Sequence, residues 1–252
     1  MMVELDNHID ELHQQLEEER LARAELEREL HQLHLFIRSA GHDMKTPITT
    51  LKTSLYLLQR KPELAVPERL TMMEQQLERM TNMVDAMGLM ARLDGETALV
   101  YDESDILAVV QEAIRSVADI AEEKSVDIQV ETANILPDIQ LNFEESKRAL
   151  VNILDNAVRH SESQSAVNIE IFESHGYLCV DVMDSGAGLT DAEIENLFEP
   201  FFRGDDTGNH SETGVGMGLP IARRIIELHG GKIRVMTEEG SGSTFRLMFP
   251  VN

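Results

Sequence analysis

"SAGHDMKTPITTL", Ser39 to Leu51, sets a proline inside what otherwise reads as one long amphipathic helix, five residues after a histidine. Pro47 has no N–H for the ladder, and its ring meets the carbonyl four residues back, that of Asp43, so a kink is expected here. Ile37 and Met44 take equivalent positions on the apolar seam, which sets His42 on the outer face. Re-phasing to the seam of Ile48 and Leu51 still leaves it outside. By position alone a solvent-facing histidine reads equally as a solvated bystander or as a nucleophile. A carboxylate, Asp43, beside it to take its proton and a hydroxyl, Thr46, one turn further on the same face to hold water favour the nucleophile.

Upstream, Leu5, Ile9, Leu12, Leu16, Leu26, Leu30, Leu33 and Ile37 fall on alternating three- and four-residue steps, the seam of a coiled coil, interrupted by Glu19 and Arg23. Such polar interruptions fix register and partner number, and the pattern predicts a parallel dimer. Downstream, "QRKPELAVPER" (Gln59 to Arg69) breaks the helix with two prolines. A second helix follows, with Leu70, Met73, Leu77, Met80, Val84 and Met87 on its seam. Two antiparallel helices joined by a short loop, in a dimer, predict a four-helix bundle. His31 and His34 stand at helical spacing, where a solvated coiled-coil face outweighs a metal site.

The chain has 252 residues, with 46 Asp+Glu against 22 Lys+Arg and a formal net charge of −24. That balance argues against sequence-independent nucleic-acid binding, which needs cations to neutralise phosphates, and leaves room only for a local basic site. The single cysteine, Cys179, lies in an apolar run and reads as a small buried hydrophobe. No apolar stretch approaches the roughly 18–20 residues of a membrane span. These features predict a cytoplasmic protein, with any membrane attachment supplied by a region N-terminal to the coiled coil.

After the polar connection "ARLDGET" (Ala91 to Thr97) the pattern changes. Helices are predicted over 106–121, 146–160 and 220–229, and strands over 126–130, 167–172, 177–183, 233–237 and 244–249. This order of elements implies an α+β sandwich with helices on one face of a mixed sheet. "NILDNAVRHS" (Asn152 to Ser161) puts Asn152 and Asn156 one turn apart, by themselves ordinary helix-surface asparagines, but also two amide oxygens suited to a hard cation that keeps its waters and phosphates. "DSGAGL" (Asp184 to Leu189) ends a strand with a carboxylate and two glycines that permit close backbone approach. "GVGMGLPIARRII" (Gly214 to Ile226) runs alternate glycines into a helix with a proline in its first turn, a way of presenting N–H groups to an anion. It is neither a P-loop nor a Rossmann turn.

"HDMKTP" resembles the phosphoacceptor motif of two-component sensor histidine kinases, H-[ED]-x-[KR]-[TN]-P, with every constrained position filled. The three later segments, in this order, resemble the ATP-binding domain shared by histidine kinases, DNA gyrase B, Hsp90 and MutL. "LFEPFFR" (Leu197 to Arg203) is similar to the phenylalanine box of the kinase branch, and "GSGSTFRLMFP" to its closing hairpin. The resemblance implies a Mg²⁺-ATP-dependent kinase that phosphorylates His42, with Asp43 as general base. The phosphoryl then passes to an aspartate of a response regulator receiver domain, and Thr46 positions water for the reverse, phosphatase reaction. It assigns Mg²⁺ to Asn152 and Asn156, a phosphate to Arg159, and the adenine amine to Asp184. Further nucleotide contacts fall to His160, Gly186, Gly188, Gly214, Gly216, Gly218, Leu219 and Thr244. Phe198, Phe201 and Phe202 are expected to pack the base of a lid over residues 189–213. Arg159 and His160 stand where Lys and Tyr are frequent in the family.

The expected organisation is a coiled-coil signalling helix over 1–35, a dimerisation and phosphotransfer hairpin over 36–93, and an ATP-binding domain over 94–252. Two rivals compete with it. A scaffold that binds nucleotide only to change shape is opposed by the intact asparagines, Asp184 and glycines beside His42. An ATPase clamp of the gyrase or MutL type is opposed by the phenylalanine box and the closing hairpin.

Overall fold

The fold is described from a computed structural model, which covers residues 2–61, 66–95, 99–133, 135–204 and 215–251, with α1 side chains described throughout only from residue 36. The chain divides into two compact units, Met1–Ala65 and Val66–Asn252.

The first unit is one helix, α1 (Met2–Arg60), which runs through Pro47 without a break in its assignment. Around the proline, Thr49 and Thr50 donate their hydroxyls to the carbonyls of Lys45 (2.8 Å) and Thr46 (3.1 Å). These side-chain bonds add to the ladder in the turn where Pro47 leaves the Asp43 carbonyl without its N–H.

The second unit opens with α2 (Pro67–Asp94), whose first residue is a proline placed where its missing N–H costs nothing. A short ribbon follows, β1 (Asp102–Ser104) antiparallel to β3 (Ile139–Leu141), flanking α3 (Ile106–Lys124) and β2 (Asp127–Thr132). Asp105 caps α3 by accepting from the Leu107 N–H, and Ser125 ends it in the left-handed region at φ 58°. Ile106, Val109, Val110, Ala113, Val117 and Ala121 form its buried stripe. Then come α4 (Phe143–His160), β4 (Ala166–Ser174), β5 (Tyr177–Met183), α5 (Asp191–Asn196), α6 (Gly218–Leu228), β6 (Lys232–Glu238) and β7 (Gly242–Pro250).

Five strands make one mixed sheet in the order β2-β4-β5-β7-β6, with β2 and β4 parallel and every other pair antiparallel. The β4–β5 hairpin turns on His175 and Gly176, both at positive φ, as a two-residue turn demands. Val167, Ile169 and Ile171 on β4, Leu178, Val180 and Val182 on β5, and Phe245, Leu247 and Phe249 on β7 are all buried on one face. This is the face that α3, α4 and α6 cover. The α+β sandwich expected from the order of elements is therefore present. Each predicted helix and strand of this region appears, most of them longer by a few residues, while β1, β3 and α5 were not foreseen. Cys179 is buried, and that burial raises its thiol pKa above the usual value.

His229 ties two of the covering helices together. Its Nδ1–H donates to the Ile225 carbonyl (2.7 Å), and Nε2 accepts from the Asn142 N–H (2.9 Å), with the Ser146 hydroxyl 3.2 Å away. Asn142 is itself the N-cap of α4. The amide donor at Nε2 requires the neutral ring, and burial lowers the histidine pKa in the same direction. The end of α2 is held to the same helices: Arg92 pairs with Glu145 at 2.6 Å, Asp94 pairs with Arg224 at 2.7 Å, and Leu93 between them is buried.

Candidate functional site

His42 lies on α1 with its side chain 83% exposed, so the outward placement expected from the heptad holds. Its Nδ1 is 3.3 Å from Asp43 Oδ1, which leaves Nε2 without a protein partner in this contact and open to solvent. Thr46, one turn on, is exposed as well.

In the second unit, α4 turns its apolar stripe (Leu150, Ile153, Leu154, Ala157, Val158) into the core and leaves Asn152 and Asn156 half-buried at its flank. The start of α6 lies against this flank, since a Cβ on Gly218 would stand 3.5 Å from Asn152 Oδ1. Met217 provides no side-chain cap for α6, and its first turn has no acidic residue. The Gly218 and Leu219 amides therefore lack intrahelical partners, and beside Asn152 they form a setting for an anion with its cation. Among the described residues no cluster of three His, Cys, Asp or Glu could cage a metal. Two amide oxygens fit Mg²⁺, which uses few protein ligands and completes its shell with water and phosphate. Arg159, in the last turn of α4, pairs with Asp155 at 2.8 Å, and its carbonyl accepts from Lys124 Nζ. His160 next to it is exposed.

The other end of the site is a polar row across three strands. The helix-facing residues Val182, Phe245 and Val235 are register partners, and two residues further along the next such positions are Asp184, Ser243 and Thr237. The Asp184 N–H donates to the Ser243 carbonyl (2.9 Å), while Asp184 Oδ1 accepts from the N–H groups of Gly186 (2.9 Å) and Ser243 (3.1 Å). Burial raises the pKa of this carboxyl, and the two N–H bonds oppose that shift. Thr237 Oγ1 accepts from the Leu189 N–H (3.0 Å), donates to the Gly242 carbonyl (3.0 Å) and meets Ser243 Oγ at 2.9 Å.

The glycines serve this assembly directly. A Cβ on Gly186 would lie 2.6 Å from the His160 carbonyl, which brings the strand end against the end of α4. Gly188 has φ 72°, and a Cβ there would collide with the Glu238 carbonyl of the closing hairpin. Gly216, also at φ 72°, accepts from the Phe201 N–H through its carbonyl (2.9 Å), and Phe201 is buried at φ 66°. The phenylalanine segment thus closes on the glycine loop, with the Arg223 guanidinium 5.4 Å from the Phe198 ring centre.

Asn152 and Gly218 are thus brought together, as are Asp184, Gly186 and His160. Gly214 and residues 205–213 of the expected lid lie outside the described residues. Thr244 is not brought to Asp184: it alternates with Ser243 and shares the opposite sheet face with Arg246. The residue beside the carboxylate is Ser243. Strand parity could have found it, because Phe245, Leu247 and Phe249 are the apolar positions of β7 and Ser243 shares their phase.

Two family models match the chain. Residues 32–96 match the His Kinase A (phospho-acceptor) domain, and residues 141–252 match the histidine kinase-, DNA gyrase B- and HSP90-like ATPase. The chain is 26% identical to the signal transduction histidine-protein kinase ArlS of Staphylococcus epidermidis over 98% of its own length and 53% of the relative. It is 31% identical to the sensor protein CzcS of Cupriavidus metallidurans over 87% of its length and 46% of the relative. It spans about half the length of the relatives it matches. In fold it resembles the histidine kinase ThkA, solved in complex with the response regulator protein TrrA, at TM-score 0.73 and 21% identity over 89% of this chain and 64% of that one. It also resembles the Acinetobacter baumannii histidine kinase AdeS, at TM-score 0.69 and 20% identity over 84% and 98%.

Proposed function

The chain belongs to the sensor histidine kinases, carrying their phospho-acceptor domain and their ATPase domain in that order, and from this premise we propose that it is a protein-histidine kinase core. It transfers the γ-phosphoryl group of ATP to His42 and then to an aspartate of a response regulator. One observation carries this reading: the exposed His42 ring has Asp43 at Nδ1 and a free Nε2.

In the proposed step the Nε2 lone pair attacks the γ-phosphorus as the bond from phosphorus to the bridging oxygen breaks, and ADP leaves. Asp43 accepts the Nδ1–H and stabilises the ring as it gains positive charge. Asp184 accepts from the exocyclic amine of adenine, and the Gly218 and Leu219 amides receive phosphate oxygens. Asn152 and Asn156 would hold Mg²⁺, which when bound neutralises phosphate charge during transfer. Thr46, one turn from His42, positions water for regulator dephosphorylation.

The partners follow from the same reading. A receiver domain must reach His42 in turn with the ATP site, and the neighbour ThkA was solved with a response regulator. A second copy covers the apolar seam of the helical hairpin, taken as residues 36–93, while 94–252 form the ATP-binding domain and 1–35 the coiled coil. ATP as phosphoryl donor puts the chain in the cytoplasm, and no described helix is long and apolar enough to cross a membrane.

The test is incubation with γ-labelled ATP and Mg²⁺, comparing the wild type with His42→Gln. Acid-labile, base-stable label on the wild type alone is expected. Equal label on both proteins means another acceptor, and ATP binding with no label on either points to the scaffold. In the same assay, with labelled regulator added, Thr46→Ala should slow loss of label from the regulator while His42 is still phosphorylated; unchanged loss removes Thr46 from that role.

A further inference from the structure

The polar row Asp184–Ser243–Thr237 has a hydrogen-bond direction that follows from the donor inventory of its atoms. A threonine hydroxyl has one hydrogen and two lone pairs. At Thr237 Oγ1 one lone pair is taken by the Leu189 N–H, which can only donate. Its hydrogen goes to the Gly242 carbonyl, which can only accept. The third contact, to Ser243 Oγ at 2.9 Å, is then made with Ser243 as donor. Either oxygen could donate if the pair stood alone; its two backbone neighbours decide.

With its hydrogen committed to Thr237, the Ser243 hydroxyl offers only lone pairs to anything else in the site. It stands beside Asp184, whose Oδ1 takes the Ser243 N–H at 3.1 Å and whose ionised carboxylate also only accepts. The strand end therefore presents acceptors alone. The adenine ring carries a donor, the N6 amine, at the position where guanine carries an acceptor, O6. A free serine hydroxyl would rotate and donate to O6, erasing part of the distinction.

We propose that Thr237 is a positioning residue for purine choice: it holds the Ser243 hydroxyl as an acceptor and so excludes guanine nucleotides from the Asp184 site. The inference rests on the ATP-binding reading above. Thr237 touches no nucleotide itself and acts through Ser243. Thr237 lies on β6, outside the segments that carry the resemblance in the sequence, which kept it from view there.

The test is titration of the full chain with ATP and with GTP, each with Mg²⁺, for the wild type, Thr237→Val, Thr237→Ser and Ser243→Ala. The ratio of the two affinities is the readout, because a purely structural defect lowers both together. In Thr237→Val, which keeps shape and loses the hydroxyl, the preference for ATP should fall roughly tenfold, the scale of one hydrogen bond, mainly through tighter GTP binding. Thr237→Ser should restore it to within about twofold of the wild type. Ser243→Ala leaves no hydroxyl to orient, so adding Thr237→Val to it should not change its ratio further. A wild-type ratio in Thr237→Val, or a further change of ratio in the double variant, overturns the proposal while leaving nucleotide binding intact. If Thr237→Val does not fold, a Thr237→Ser ratio far from wild type overturns it. A wild type that binds neither nucleotide sinks the kinase reading and this inference with it.

Discussion

Asp184 is held by opposing forces: burial disfavours its charge while two backbone N–H groups favour it, and burial wins. Its folded pKa therefore lies above the unfolded one. The stability this contributes belongs to the protonated form, is fully present below the unfolded pKa, and is lost as pH rises through the folded pKa. At neutral pH the ionised carboxylate is a cost to the fold, kept for its use as an acceptor. Asp184→Asn should accordingly raise the thermal midpoint of the nucleotide-free chain at pH 7, and the gain should shrink to nothing at pH values below the ordinary carboxylate range. ATP binding should be lost at every pH. Thermal melts across pH, paired with ATP titrations, check this; a lower midpoint for the variant at pH 7 would contradict the sign. At this scale the sequence was informative where a residue's type alone carried the chemistry, as for His42, Asn152 and Asp184. It was less so where only phase distinguished neighbours, so Thr244 was named and Ser243, one position earlier, was not.

Among the elements, the glycines separate into two kinds that the sequence shows alike. Gly188 adopts φ 72° against the Glu238 carbonyl, so any side chain there meets both backbone strain and a collision. Gly188→Ala should cost more than about 2 kcal/mol in denaturant unfolding. Gly218 begins α6 at an ordinary helical angle, and a Cβ would meet Asn152 at van der Waals distance. Gly218→Ala should unfold within about 0.5 kcal/mol of the wild type, since alanine suits a helix. Equal losses in the two variants would show that packing is not what separates them. The long helices and central strands were legible because their apolar periods run for several repeats. β1, β3 and α5 were not: three to six residues are too few to establish a period. The capping box at Thr190 and Glu193 was the one local signal for α5.

At the scale of the whole molecule, Leu16, Leu30, Ile37, Ile48, Leu55, Leu70, Leu77 and Val84 stand 45–58% exposed in the single chain. Leu and Ile side chains contribute about 1.5–3 kcal/mol each when fully buried, so this seam is a strong reason to pair. Sedimentation at micromolar concentration should give a dimer for the wild type and a monomer for Ile37→Lys combined with Leu55→Lys; a monomeric wild type removes the dimer from the proposal. The seam could be read from sequence because it obeys a heptad. The ion pairs at the end of α2 could not, since they join residues tens of positions apart. Arg92 and Asp94 are two residues apart and so leave the helix on roughly opposite sides, each gripping a different helix of the ATP-binding fold. A rod gripped on two sides resists turning about its own axis more than it resists tilting. The two grips are unequal: the half-exposed Asp94–Arg224 pair contributes about 1 kcal/mol or less, whereas Arg92 reaches a carboxylate, Glu145, that is buried. A load that turns α2 would therefore part the grip at Asp94 before the grip at Arg92.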